Sequence, residues 1–168
     1  MVAFTYRMPS GIPGATNRAE HLTVEAGLLL AGFLPAGYGV PVAVDPATGR
    51  YRAVGAGDTA PMVVGMLARP YPSGSLGVAT DILGNGQPSA VAVANIMRRG
   101  YMTVLLGGVT AAAKNGTVYV RIAVASAGKP LGGLEAAADG VNTIALDNKS
   151  YWMGPADAQG NTELAFNI

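Results

Sequence analysis

The sequence predicts an all-β fold: a β-sandwich or jelly-roll-like domain, or a β-barrel, preceded by an extended N-terminal arm. Three observations predict it. Apolar residues alternate with period two in short runs, most clearly in "TVYVRIAV" over residues 117–124. Turn signals recur about every ten residues along the chain. No segment sustains a helical period, and at most one short helix fits.

The elements follow in order. Residues 1–20 hold Pro9, Gly11, Pro13 and Gly14 and few core candidates, so they read as an extended arm. Residues 21–168 then form a single β domain. "HLTVEAG" alternates Leu22 and Val24 with His21, Thr23 and Glu25, as a strand does. "GVPVAVD" and "RYRAVG" flank the turn residues "PATG" and make a hairpin. "PMVVGMLARPYP" is a strand closed by Pro70 and Pro72, and residues 73–90 read as loop.

"SAVAVANIMRRG" is ambiguous. Its spacing fits a short helix ending at Gly100, while its valines favour strand. "YMTVLLGGV" is a strand. Asn115-Gly116 marks a turn, because both residues tolerate positive φ. In the strand that follows, Val118, Val120, Ile122 and Val124 form a dry face, and Thr117, Tyr119, Arg121 and Ala123 a wetter one. "GKPLGGLEAAADGVN" reads as a long Gly-rich loop. "TIALD", "SYWMG" and "TELAFNI" are closing strands.

Composition narrows the function. The chain has 168 residues, enough for one β domain with a core. Hydrophobic residues make up 50% and charged residues 12%, about half the usual charged share. A surface so poor in charge suits contact with other protein. The net charge of +1 gives no basic field for nucleic acid. There is no cysteine, which excludes disulfides and thiolate chemistry. The N-terminus lacks the pattern of a signal peptide, and the apolar runs are too short and too interrupted to span a bilayer. These features read as a protein made in the cytoplasm, with no membrane partner.

A search for catalytic patterns returns none. His21 is the single histidine, too few for a cupin-type metal site, and no Gly-x-Ser-x-Gly occurs. "GAGDTA" resembles a dinucleotide fingerprint but is followed by Pro61 and a strand rather than a helix. Most carboxylates fall in turns, where they cap backbone groups. The expectation is therefore no catalytic residue, no metal and no cofactor. Arg98-Arg99 is the one dense basic spot, suited to a partner's carboxylates.

Several stretches in this order resemble the capsid cement (decoration) proteins of tailed bacteriophages: "YGVPVAVD" with "GRYRAV", "VVGMLARPYP", "IMRRGYMTVLL", "NGTVYVRIA" and the tail "YWMGPADAQGNTELAFNI". The likeness runs over nearly the whole chain. It implies a structural virion protein on the outer surface of the phage head. Such a protein clamps neighbouring major capsid subunits and assembles with itself as a homo-dimer or homo-trimer. Another virion β module, from head completion, tail or spike, is the alternative. The residues expected to make protein contacts are Phe4, Tyr6, Arg7 and Ile12 in the arm, with Arg98 and Arg99.

Overall fold

The computed structural model describes residues 11–33, 35–70 and 93–168. The fold is all-β. Among the described residues it has the strands β1 (Thr16–Asn17), β2 (Thr23–Leu28), β3 (Pro41–Val44), β4 (Tyr51–Ala53), β5 (Val63–Ala68), β6 (Val93–Gly107), β7 (Tyr119–Arg121), β8 (Leu134–Glu135), β9 (Thr143–Ala145), β10 (Tyr151–Trp152) and β11 (Asn161–Phe166). Three single-turn 3-10 segments, Ala19–His21, Ala60–Met62 and Gly140–Asn142, complete it.

β6 organises the molecule. At 15 residues it is far longer than an ordinary strand of about five or six. It absorbs both the ambiguous "VANIMRRG" and the predicted strand "YMTVLLG". Tertiary pairing decides for strand, because β2 and β5 hydrogen-bond its two edges over residues 95–97. The predicted loop at 73–90 lies outside the described residues.

The N-terminal half of β6 belongs to a small rolled sheet in the order β4-β3-β5-β6-β2. A parallel bridge between Leu29 and Tyr51, with Leu30 N–H donating to Tyr51 C=O at 2.7 Å, brings β2 back to β4 and closes the ring. Leu29, Val42, Tyr51, Leu67, Ala94 and Ile96 fill it. The ring of Tyr51 lies over Gly27, where a Cβ would sit 2.2 Å from Tyr51 Cε2. Only glycine leaves room for that plug.

The C-terminal half of β6 belongs to a second ring. β11 pairs one edge over Gly100–Leu105, and β10 pairs β11. β8 runs parallel to the end of β6 on the other edge, and β7 pairs β8. A bridge between Thr117 and Tyr151 joins the β7 segment to β10 and completes the circuit. β9 continues that edge of β7. Met102, Val104, Val118, Val120, Leu134, Trp152 and Leu164 fill this ring. Ala43, Met66, Ala68 and Met97, on the outer side of the first ring, join the same cluster. Strand order thus follows the barrel form among the architectures the sequence left open: two small rings share one long strand.

Two local expectations change. The Gly-rich stretch 128–142 contains β8 and a 3-10 turn rather than loop alone. Its two-residue strand is made by remote partners, Leu106 and Val120, so no local periodicity marks it. His21 closes a 3-10 turn, and the strand predicted at His21 begins two residues later, at Thr23.

Candidate functional site

Several ionisable groups among the described residues are engaged in structure. His21 meets Tyr101 edge-on at 5.9 Å between ring centroids. Asp58 takes a two-pronged bond from Arg52, 2.7 Å at each oxygen, and accepts Gly55 N–H at 2.8 Å. These bonds, led by the one from Arg52, hold its carboxyl below the usual range against the opposing effect of burial. Asp45 accepts the Thr48 hydroxyl and backbone N–H and so closes the β3–β4 turn. Asp157 accepts the N–H groups of Gln159 and Asn161. Among the described residues, no three His, Cys, Asp or Glu side chains converge on a metal-sized point.

The predicted contact residues separate. Phe4, Tyr6 and Arg7 lie outside the described residues. Ile12 is exposed at the base of the arm. Arg98 sits at a bulge, since Thr23 pairs with Arg99 but Val24 pairs with Met97. Its guanidinium bonds Glu25 at 3.2 Å, and Glu25 also accepts the Tyr51 hydroxyl. Arg98 therefore braces the rim of the first ring, while Arg99 beside it is exposed. Arg98 also lines an open cleft of about 220 Å³ with Pro61, Val64, Asp147, Ser150 and Asn167.

The stretch from Gly11 to Arg18 is fastened along β6. Gly14 N–H donates to Thr103 C=O at 2.8 Å, and Thr103 N–H donates back to Ala15 C=O at 2.9 Å. Arg69 N–H donates to Gly14 C=O at 2.8 Å. The Arg69 guanidinium stacks over Tyr38 at 4.7 Å. Gly14 has φ +86° and a Cβ there would lie 2.2 Å from Tyr38 Cβ, so the backbone passes through a slot that only glycine fits. β1 pairs Thr16 with Met102 and Asn17 with Tyr101. Arg18 then covers Tyr101 at 4.2 Å and bonds Glu163 at 2.8 Å. Residues 11–18 are thus an anchored segment.

The last assembly is one that sequence reasoning missed. Arg121, expected on the wetter face of its strand, is 1% exposed. Its Nε bonds Glu135 at 2.5 Å, its Nη2 bonds Asp139 at 2.6 Å, and its Nη1 bonds Val124 C=O at 2.9 Å. Lys129 adds a 3.1 Å contact to Glu135. Burial alone pushes the Glu135 carboxyl up, but the bonds from Arg121 and Lys129 outweigh it and leave it below the usual range. Hydrogen bonds donated to both carboxylates raise Arg121 further above its ordinary value. One buried guanidinium thereby ties together β8, the loop that follows it and the loop that follows β7. The acidic residues of "LEAAAD" were the available signal, but their sequence distance from Arg121 hid the pairing.

Comparison with known proteins supplies the family. The family model described as XM1 gp53 minor capsid protein matches residues 1–166. A chain of the capsid of Myoviridae phage XM1 superposes with a TM-score of 0.68 at 18% identity, covering 98% of this chain and 95% of that one. At that identity the structural likeness carries the fold. No curated protein matches the sequence. The chain belongs to the XM1 gp53 minor capsid protein family and is a structural, capsid-associated protein of a tailed-phage virion.

Proposed function

We propose that this protein is a capsid cement, binding the outer surface of the phage head and clamping neighbouring major capsid subunits. In this reading it acts as a homo-dimer or homo-trimer and performs no catalysis. Family membership places it in the capsid. The observation that supports the clamp is the anchoring of Gly11–Asn17 along β6, a fixed base from which contact with a neighbour can be made.

The physics is that of distributed attachment. A standard interface buries roughly 800 Å² per partner. Area alone does not set affinity. A protein that binds across a subunit boundary adds contacts that must be lost before the boundary opens under internal pressure. Repeating the contact over a closed shell makes rebinding effectively intramolecular, so modest contacts sum to a large resistance.

The test is co-sedimentation of the purified protein with mature heads stripped of it. A cement saturates at hundreds of copies per head, by an order-of-magnitude estimate from multivalent shell coverage, and raises the temperature of DNA release. Saturation at a few copies would replace this reading with a head-completion, tail or spike module. Deleting residues 2–10 leaves the Gly11–Asn17 anchor in place. That variant should keep the wild-type melting temperature and bind heads more weakly; unchanged retention would remove the arm from the mechanism.

A further inference from the structure

The loops around Arg121 form a surface unlike the rest of the described residues. Among the described residues, four of the five most exposed large apolar side chains lie there: Val109 at 101%, Val141 at 88%, Val124 at 69% and Leu131 at 56%. Every exposed residue in 108–111, 124–128, 130–131, 138 and 140–141 is uncharged. The ionisable groups beside these stretches, Arg121, Lys129, Glu135 and Asp139, pair with one another, and the exposed Lys114 follows further along the β6–β7 loop. An ordinary exterior is about 25–35% charged, whereas the cores of protein interfaces are depleted of charge.

These loops are also held in place. Ala123 N–H donates to Asn142 C=O at 3.2 Å, Gly132 N–H to Arg121 C=O at 2.8 Å, and Gly108 N–H to Gly128 C=O at 2.9 Å. Val124 has φ +46°, an outlier for a β-branched residue, and Arg121 grips its carbonyl in that conformation. A strained backbone that presents an apolar side chain to solvent gains nothing within the isolated chain.

We propose that this loop surface is where copies of the chain meet one another. The inference rests on the self-association in the reading above and names its site. Charge selects the partner. Side chains nearest a symmetry axis approach their own counterparts, so a charge there meets a like charge. A surface cleared of free charge avoids that repulsion, and its apolar side chains gain by mutual burial.

The experiment measures mass by light scattering across a concentration series for the full-length protein. Wild type should be a dimer or trimer. The double variant Val109→Asp/Val141→Asp should dissociate at least tenfold more readily, with unchanged far-UV circular dichroism. Val124→Asn, which tolerates the left-handed conformation, should weaken association while melting no lower as a monomer. A monomeric wild type, or an oligomer indifferent to these substitutions, overturns the proposal. So does a loss of head binding with the oligomer intact, which would assign the surface to the shell. Head co-sedimentation of wild type is scored separately. Binding by a monomer keeps the cement reading and removes this one; an oligomer that ignores heads does the reverse.

Discussion

At the scale of the residue, Arg121 decides most. A buried charge is costly unless fully paired, and here the guanidinium meets two carboxylates and a carbonyl. Arg121→Ala leaves Glu135 charged and buried, and should cost about 3–5 kcal/mol in urea unfolding. The pair Arg121→Met/Glu135→Leu should recover much of that loss, since apolar replacement removes both desolvation costs; Asp139 is already half exposed. Recovery absent from the double variant would show that the ion cluster positions the loops in a way packing alone does not. Gly27 tests a different mechanism. Gly27→Ala drives a methyl into the Tyr51 ring, and should lower stability by about 1–3 kcal/mol and alter the near-UV tyrosine signal.

At the scale of the element, β6 is a shared wall. Around Tyr101 and Met102 it is paired on one edge by β1 and on the other by β11. Its side chains enter both cores. β2 differs: it lies mostly exposed and pairs chiefly with β6. Local opening follows such differences in burial and pairing. Amide hydrogen exchange should find Met102, Thr103 and Val104 among the slowest, exchanging only by global unfolding, and the β2 amides measurably faster. Equal protection in both would mean the two rings open as one unit.

At the scale of the whole molecule, acid should be the weak point. Asp58, Glu135 and Asp139 all have folded-state carboxyls below their ordinary values. As pH falls, the unfolded chain takes up these protons first. The stability they contribute is therefore complete above the ordinary carboxylate range and is lost below about pH 4. Melting temperature should be flat from roughly pH 5 to 8 and fall steeply beneath that window. The fall should be shallower in Arg121→Met/Glu135→Leu, because the most buried contributor is gone. A slope equal to wild type would assign acid sensitivity to Asp58 and the surface pairs.

The sequence by itself determined the all-β class, the β3–β4 hairpin, the closing strands and the dry face at Val118, Val120 and Ile122, because period-two alternation and turn chemistry are local; the fourth predicted member, Val124, is exposed instead, because β7 ends at Arg121 and the backbone turns to positive φ. A resemblance in motif order determined the virion setting, and the family match agrees with it. Only the tertiary structure decided the rest. It made "VANIMRRG" part of one long strand, through partners on both edges. It made β8 from two residues of a Gly-rich stretch, through Leu106 and Val120. It buried Arg121, whose alternation pointed outward, by folding Glu135 and Asp139 over it. Each depends on groups far apart in the chain, and such pairings leave no periodicity for a single sequence to carry.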